Sequence, residues 1–263
     1  MPNLIRDGVE IFYEVHGCGP ALLLTHGYSS TSHMWAGQVA SFSRYFKLIT
    51  WDMRGHGRSA SPADPREYSE EATVADMAAL LRAAGAESAI VGGLSLGGYM
   101  SLAFHLVHPM RTRALLIIDT GPGFKNDEAR EAWNVRAKKT AERWETEGLG
   151  RLAGGSAELR EAQHTSAAGL GLAARGMLAQ RDARVINSLP DIRVPSLVVV
   201  GANDEPFLKA SGYMAAKIPG ARKVVIPDAG HAANIDQPEK FNQAVLGFLR
   251  DAGMVSEINI PPG

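Results

Sequence analysis

The sequence predicts an α/β protein whose mostly parallel central sheet is flanked by helices. Short apolar runs alternate with longer amphipathic segments along most of the chain, and this alternation is typical of parallel sheets that are covered on both faces. The alternation stops between about residues 122 and 190 and then resumes. We therefore predict a core formed by residues 1–121 and 191–263, and a helical insertion, 122–190, that acts as a lid.

Before the insertion, five runs of residues predict strands, and three segments predict helices. The strand runs, which are either alternating or continuously apolar, are VEIFYEV, ALLLTHG, KLITWD, SAIVGGL and RALLIID. The first two helical segments are SHMWAGQVASFSRYF and SEEATVADMAALLRAAG, the second of which has acidic residues early and Gly85 at its end. The third helix follows Ser95 and is expected to stop at Pro109, because proline cannot continue a helix.

The insertion begins within the segment Gly121-Pro122-Gly123 and contains only helical and glycine-spaced segments. Strand and helix patterns then resume with VPSLVVVGAND, FLKASGYMAAKIPG, ARKVVIPDAGH and PEKFNQAVLGFLRDAG. Because the insertion starts at the carboxyl end of a strand, it lies at the sheet edge where α/β folds bind ligands. This position favours a lid over the alternative, a packing subdomain that contacts no site.

The charge and cysteine content of the chain limit its partners and its compartment. Lys and Arg (27) nearly balance Asp and Glu (28), and the net charge of -1 indicates no nucleic-acid or membrane-surface partner. No apolar run approaches the roughly 18 residues of a membrane span, and the amino terminus lacks the pattern of a secretory signal. The only cysteine, Cys18, is expected to be a turn residue and fits a reducing, cytoplasmic location. The oligomeric state stays open, with a homodimer as one option.

The segment Gly93-Leu94-Ser95-Leu96-Gly97 fits the pattern G-x-S-x-G between a predicted strand and a predicted helix. In that context the serine occupies a sharp strand-to-helix turn, which side chains at positions 93 and 97 would crowd. We therefore predict that Ser95 is an exposed nucleophile at the sheet edge, beside the positive end of the helix dipole. The alternative is a serine that only caps the helix, but a cap does not require glycine on both sides.

A serine nucleophile needs a general base, and His231 is the predicted base among the eight histidines of the chain. It closes the segment ARKVVIPDAGH, where a loop after a predicted strand can reach the same edge of the sheet. His33, near the start of a helix, is the best alternative, although it precedes the serine in the chain.

The base needs an acidic partner that fixes its tautomer, and Asp204 is the predicted partner. It follows the predicted strand VPSLVVVG, and the resulting chain order is Ser95, Asp204, His231. Asp119, at the end of RALLIID, remains an alternative, although its place before the glycines of the insertion suits a hinge better. Further candidates are Glu205 and Asp228.

Two backbone donors are needed for a developing oxyanion. The Leu96 N–H follows the nucleophile directly, and the Tyr28 N–H lies in the loop LLLTHGYSST after an early strand. Gly27 would let that loop approach closely. We expect His26 to pin the loop by hydrogen bonds rather than to take part in the chemistry.

Five segments together resemble the α/β-hydrolase superfamily in order and spacing: HGYSS, WDMRGHGRS, GLSLGGYMS, VVVGANDEP and AGHAANIDQPEKF. The resemblance covers nearly the whole chain except the insertion and implies the α/β-hydrolase fold. It is greatest to small serine esterases and enol-lactone hydrolases with a short helical lid. In such proteins the segment DMRGHGRS is structural, so Arg54 and His56 are expected to brace loops. Epoxide hydrolases and haloalkane dehalogenases carry an aspartate where this chain has Ser95, which argues against both.

The resemblance implies a serine hydrolase that cleaves a carboxylic ester or lactone through an acyl-enzyme, with Ser95, Asp204 and His231 as catalytic triad and Tyr28 and Leu96 as oxyanion hole. No metal or cofactor is expected, since neither H-E-x-x-H nor a dinucleotide fingerprint occurs. The expected partner is a small to medium, largely uncharged ester or lactone. The reasons are the low net charge and the apolar residues of the insertion, namely Phe124, Trp133, Trp144, Leu170, Leu172 and Met177.

Three alternatives of the same fold remain: a meta-cleavage C–C hydrolase, a perhydrolase, and a receptor that binds a small ligand without catalysis. The first binds a dienoate carboxylate, so an arginine of the insertion that faces the pocket would favour it. The candidates are Arg130, Arg136, Arg143, Arg151, Arg160, Arg175, Arg181 and Arg184.

Overall fold

One eight-stranded sheet organises the part of the chain that the computed structural model describes, residues 3–154, 159 and 162–255. Its strand order is β1-β2-β4-β3-β5-β6-β7-β8. β1 and β2 are antiparallel to their neighbours, and the other strand pairs are parallel, which confirms the predicted mostly parallel sheet. The strands are β1 (Asn3–Arg6), β2 (Val9–His16), β3 (Ala21–Thr25), β4 (Lys47–Trp51), β5 (Ala89–Leu94), β6 (Thr112–Ile118), β7 (Ser196–Gly201) and β8 (Arg222–Ile226).

The edge strand β1 was not predicted, because only alternate residues of its four are partly buried. It pairs with β2 through a two-residue turn in which Asp7 has φ 52° and Gly8 has φ 80°. An Asp-Gly pair with positive φ at both positions is a favoured hairpin turn. The dipeptide was therefore the available signal for β1.

Helices cover both faces of the sheet. Before the insertion they are α1 (Ala36–Phe42), α2 (Glu70–Ala83) and α3 (Leu96–Val107). The helix predicted from residue 32 is shorter than expected, because its first turn, Ser32–Trp35, is a 3₁₀ helix. After the insertion come α7 (Glu205–Lys217), α8 (Ala233–Asp236) and α9 (Pro238–Asp251).

The regular secondary structure of the described part of the insertion is helical, and short irregular segments join the helices. The insertion contains α4 (Asp127–Glu147), α5 (Ala167–Ala173), a π-helical turn (Ala174–Leu178) and α6 (Arg184–Ser188). Side chains cap two of these helices, since Asn126 accepts from the Ala129 N–H and Ser166 accepts from the Gly169 N–H. Within the described residues, no helix has both the length and the apolar character needed to cross a membrane.

Alternate residues of the central strands enter two separate hydrophobic cores. Leu22 and Leu24 of β3 face one core, and Leu23 faces the other. The first core is completed by α1 and α9, where Phe241, Val245 and other apolar residues recur at helical spacing. The second core is completed by α2, α3 and residues of the insertion. The insertion is thus packed onto the sheet domain through apolar contacts.

A buried ion pair holds the loop after β4. Arg54 is 1% exposed and donates to both carboxylate oxygens of Asp76 on α2, at 2.7 and 2.9 Å. It also contacts Glu67. A bidentate arginine–carboxylate pair fixes the relative orientation of the two elements that it joins. The side chain therefore has the bracing position that the sequence indicated.

Three buried histidines join this loop to the insertion and to the loop after β3. The rings of His26 and His164 both lie against the ring of His56, with centroids 5.0 and 5.7 Å away. His164, in the insertion, accepts from the Gly57 N–H through Nδ1 at 2.9 Å, and its Nε2 is 3.0 Å from the Ser29 carbonyl oxygen. The insertion is thus hydrogen-bonded to both loops through one imidazole.

Burial lowers the pKa of His26 to about 4, lowers that of His56 well below its usual range, and lowers that of His164 as well. The folded protein therefore keeps these rings neutral, whereas the unfolded chain takes up protons below a pH of about 6.5. Stability should then fall as the pH falls from about 6.5 towards 4.

We predict that the buried histidines lower the free energy of unfolding in urea between pH 7.5 and pH 5, with His26 alone contributing on the order of 1–2 kcal/mol. The buried Asp119 carboxyl, whose pKa burial raises to about 8, acts in the opposite direction, so the histidine contribution is measured as the difference between wild type and variant. His164→Gln should show a smaller decrease than the wild type, because one of the buried rings is gone. His33→Gln, which changes an exposed ring, is the control and should follow the wild type. Equal pH dependence in His164→Gln and the wild type would contradict the assignment.

Candidate active site

Ser95 occupies the turn between β5 and α3 in a backbone conformation that non-glycine residues rarely adopt, with φ 54° and ψ −116°. Its N–H donates to the Ile118 carbonyl at 2.9 Å, and its carbonyl accepts from the Thr120 hydroxyl at 2.6 Å. Its own side chain makes no capping hydrogen bond to α3. The structure therefore gives no support to Ser95 as a helix cap and leaves the strained turn to be explained.

The strained turn is possible because glycines let backbone segments approach one another. A Cβ at Gly97 would lie 2.2 Å from the Thr25 carbonyl oxygen at the end of β3, and one at Gly93 would lie 2.5 Å from the Gly97 carbonyl carbon. Both obstacles are backbone atoms, which cannot rotate away as a side chain would. A Cβ at Gly98 would lie 2.7 Å from Thr120 Cγ2 and 2.9 Å from the Gly93 carbonyl oxygen, so this position is also restricted. The sequence analysis did not single out Gly98.

His231 and Asp204 come together at the ends of neighbouring strands. Asp204 follows β7 and is 5% exposed, and its Oδ2 lies 2.9 Å from His231 Nδ1 after β8. When Nδ1 carries the proton that Asp204 accepts, Nε2 is the basic nitrogen. The imidazole also stacks on Phe207, with ring centroids 5.0 Å apart. The ring is thus oriented by a hydrogen bond on one nitrogen and by an aromatic contact on its face.

Asp119 is buried beside this pair and has a different set of partners. Its Oδ1 accepts from the Gly201 N–H at 2.7 Å, and its Oδ2 is 3.4 Å from the Ala233 N–H. Burial raises the pKa of Asp119 to about 8, against the opposing effect of the Gly201 N–H. The side chain therefore fastens β6 to β7 and to α8. The burial and the hydrogen bonds of Asp119 give no support to the hinge role that its sequence position suggested.

The other candidate residues lie elsewhere. Glu205 is exposed at the start of α7, and Asp228 contacts Lys240 at 3.3 Å. His33 is exposed in the 3₁₀ turn before α1 and lines a separate small pocket. The structure thus brings Asp204, among the four acidic candidates, within hydrogen-bond distance of His231.

The loop after β3 passes directly over Ser95. A Cβ at Gly27 would be 3.5 Å from Ser95 Cβ, so Gly27 permits the approach. His26 pins the loop, since Nδ1 lies 2.7 Å from the Gly27 carbonyl oxygen and Nε2 accepts from the Met53 N–H at 2.9 Å. Tyr28 comes next, and its hydroxyl donates to the Leu170 carbonyl of the insertion at 2.8 Å. The backbone at Tyr28 is therefore held near Ser95 from two sides.

A cavity of about 300 Å³ adjoins Ser95 and Leu96. The insertion supplies part of the wall, including Arg136 and Gln180, and Arg160 lies outside the described residues. Most of the wall is aromatic or aliphatic, and it includes Tyr99, Phe124, Trp133, Leu178, Pro206 and Phe207.

A serine on a strained turn, a hydrogen-bonded histidine–aspartate pair and a largely apolar cavity are among the features that acyl transfer requires. Of the apolar residues singled out in the insertion, Phe124 and Trp133 line the cavity, whereas Trp144, Leu170 and Met177 are buried in packing. Gln180 was missed in the sequence, which gives no sign of the direction of a single polar side chain in a helical insertion.

Comparison with known proteins identifies the family. Residues 22–244 match the sequence profile of the Alpha/beta hydrolase family. RutD of Azorhizobium caulinodans, which is named for carbamate hydrolysis, is 30% identical over 94% of this chain and 98% of its own length.

Two solved structures are also similar over nearly their full length. A thermophilic esterase from Thermogutta terrifontis is 30% identical with a TM-score of 0.82, over 95% of this chain and 97% of the esterase. The enol-lactonase from Burkholderia xenovorans LB400 is 27% identical with a TM-score of 0.78, over 95% of this chain and 100% of the lactonase. This chain therefore belongs to the alpha/beta hydrolase family, and its relatives support a hydrolase activity.

Proposed function

We propose that this protein is a serine hydrolase that cleaves a carboxylic ester or lactone through an acyl-enzyme. The observation that carries the proposal is the hydrogen bond between His231 Nδ1 and Asp204 Oδ2, in a site where Ser95 sits uncapped on a strained turn at a cavity. The similarity to an esterase and to an enol-lactonase supports the same reaction class.

In the proposed mechanism, Ser95 Oγ attacks the carbonyl carbon while His231 Nε2 takes the hydroxyl proton. Asp204 stabilises the imidazolium that forms, and the Leu96 and Tyr28 N–H groups stabilise the negative oxygen. The carbon–oxygen bond to the alcohol then breaks, and His231 returns the proton to the departing oxygen. In a lactone, this alcohol remains attached to the acyl group.

Water completes the cycle. His231 takes a proton from the water as its oxygen attacks the acyl carbon, and then gives that proton back to Ser95 Oγ as the acid leaves. Every step uses groups of this chain and the substrate. The insertion acts as the lid in this proposal, because its residues wall the cavity and exclude bulk water from the acyl group.

The cavity favours a small to medium acyl or alcohol group. Its volume of about 300 Å³ is at the lower limit of pockets that bind drug-sized ligands. Aromatic and aliphatic side chains form most of its wall, so an apolar group gains by leaving water.

One observation favours a second candidate, the meta-cleavage C–C hydrolase. Arg136 of the insertion lies on the cavity wall, where a guanidinium suits a substrate carboxylate. The same triad would serve both reactions, so the substrate distinguishes them.

We predict that a fluorophosphonate labels the wild-type protein on the peptide that contains Ser95 and abolishes ester hydrolysis. The reason is that an activated serine attacks phosphorus as it attacks a carbonyl carbon. Intact-protein and peptide mass spectrometry measure the label, and Ser95→Ala is the control that should take up none. Labelling of a peptide without Ser95 would contradict the proposal.

We predict that Asp204→Asn lowers kcat by about 10²–10⁴, because the amide favours the wrong histidine tautomer. Asp119→Asn should lower kcat by less than about tenfold but should reduce stability by about 1–3 kcal/mol, since the amide oxygen can accept from only one of the Gly201 and Ala233 N–H groups and the amide nitrogen cannot accept from the other. Kinetics with one ester substrate and urea unfolding measure the two effects. The opposite ranking of kcat would assign the acid role to Asp119.

We predict that uncharged esters or lactones have a higher kcat/KM than a dienoate C–C substrate of similar size. Most of the wall is apolar, and Arg136 is exposed to solvent, so its charge keeps water as a competing partner. Parallel assays on a matched panel give the ranking. Preference for the dienoate, reduced by Arg136→Gln, would establish the second candidate instead.

A further inference from the structure

The peptide group that joins Ser95 to Leu96 carries one of the two N–H groups proposed as oxyanion donors. Its carbonyl belongs to Ser95 and its N–H to Leu96, and because a peptide bond is planar and trans, the two groups point in opposite directions. Leu96 is the first residue of α3, and the first N–H groups of a helix have no carbonyl partner within it. Whatever fixes the direction of the Ser95 carbonyl therefore also fixes the direction of the Leu96 N–H.

The helix alone does not impose the orientation of this peptide. Ser95 has ψ −116°, whereas a helical residue has ψ of about −42°. Such a sparsely populated backbone conformation persists when the surrounding structure holds it. The Ser95 carbonyl accepts from the Tyr99 N–H at 3.1 Å and from the Thr120 hydroxyl at 2.6 Å. The first of these bonds begins α3, and the second comes from a different element, the segment after β6.

The Thr120 side chain is itself held in place. It is buried, and its hydroxyl lies 2.6 Å from the Ser95 oxygen but 3.4 Å from the Gly121 oxygen, so the hydroxyl proton is directed at Ser95. Its methyl group lies against the start of α3, where a Cβ at Gly98 would be 2.7 Å away. The preceding residue, Asp119, is fixed to β7 through its backbone N–H. Packing and the main chain thus both restrict the position of the hydroxyl.

We propose that Thr120 is a positioning residue for the oxyanion donor and acts through the peptide between Ser95 and Leu96. Its hydroxyl holds the plane of this peptide. Because hydrogen bonds in a chain polarise one another, a bond donated to the Ser95 oxygen also makes the Leu96 N–H a stronger donor. In this role the hydroxyl acts through the peptide and not on the reacting carbonyl directly. The inference rests on the proposed ester or lactone hydrolysis and adds a residue to its oxyanion-stabilising groups.

The test compares Thr120→Ser with Thr120→Ala, because these two variants differ from each other only in the hydroxyl. Neither places a larger group at the short contact with Ser95, and the Ser95 carbonyl keeps its bond to the Tyr99 N–H in both. We expect Thr120→Ala to have a kcat about three- to tenfold lower than Thr120→Ser, with KM within about twofold, because the oxyanion forms only in the transition state. An effect of the lost methyl group on the cavity wall would be the same in both variants.

The matched control is Thr112→Ala, at the opposite end of β6. Thr112 is also buried, and its hydroxyl donates to the His108 carbonyl at 3.2 Å. This variant removes the same kind of hydrogen bond and should keep the kcat of the wild type. An equal loss of kcat in Thr112→Ala and Thr120→Ala would show a general effect of destabilisation and would overturn the role of Thr120.

A trifluoromethyl ketone and the methyl ketone with the same chain measure oxyanion binding separately from ground-state binding. Ser95 Oγ adds to the activated ketone carbon, its proton passes to His231, and the ketone oxygen becomes the oxyanion. Thr120→Ala should bind the trifluoromethyl ketone about three- to tenfold more weakly than Thr120→Ser does and should bind the methyl ketone equally within about twofold. Equal inhibition of both variants by the trifluoromethyl ketone would overturn the role of Thr120.

The rate of fluorophosphonate labelling separates this inference from the proposed function. As Ser95 Oγ attacks phosphorus and fluoride leaves, negative charge develops on the phosphoryl oxygen in the same way. Slower labelling of Thr120→Ala than of Thr120→Ser upholds the role of Thr120 even if no ester is hydrolysed. Equal labelling rates and equal kcat in the two variants overturn the role of Thr120 and leave the proposed hydrolysis standing. A wild-type protein that is neither labelled nor active on any ester overturns both.

Discussion

The site depends on the close approach of the start of α3 to the end of β3. With no side chain at Gly97, the helix backbone can lie where a Cβ would be only 2.2 Å from the Thr25 carbonyl oxygen. This approach accompanies the sharp turn at Ser95, whose N–H donates to the Ile118 carbonyl of β6 and whose carbonyl accepts from the Thr120 hydroxyl. The proposed nucleophile is thus positioned by backbone packing, which is more rigid than any arrangement of side chains.

The loops that carry the proposed acid and base are held in place by one buried side chain, Asp119, which accepts hydrogen bonds from backbone N–H groups. Asp204 and His231 belong to loops after different strands, and the buried Asp119 carboxylate bonds to the Gly201 N–H just before one of them and to Ala233 just after the other. The Asp119 side chain thus connects the two loops through hydrogen bonds. Burial favours the neutral form of Asp119, and the nearby Asp204 carboxylate acts in the same direction, so the two side chains do not repel each other as two full charges would.

The sequence was sufficient to predict those features of the fold and the site that depend on a local pattern of residues. The glycines around Ser95 predicted the strained turn, and the strand–helix alternation predicted the sheet, since both depend on residues that are adjacent in the chain. The sequence did not predict hydrogen bonds between residues that are far apart in the chain. The bond from Asp119 to Gly201 spans 82 residues. The main chain of Gln180 is held by Asn134, which is 46 residues away. No pattern in either segment records such a partner. The strand β1 was missed for another reason. Its Asp-Gly turn is a local signal, but the strand has only four residues and none of them is fully buried.

The contacts of the loop after β3 link changes in the insertion to changes at the proposed oxyanion donor. Tyr28 bonds to the insertion through its hydroxyl, and the Ser29 carbonyl contacts His164 of the insertion, while the Tyr28 main chain is the proposed oxyanion donor. The insertion, which forms part of the cavity wall, and the loop that holds the proposed oxyanion donor are therefore directly connected by hydrogen bonds. Substitutions in the insertion that admit a new compound would also shift the amide that is proposed to stabilise the oxyanion, so on this proposal substrate range and rate change together unless further substitutions restore the loop.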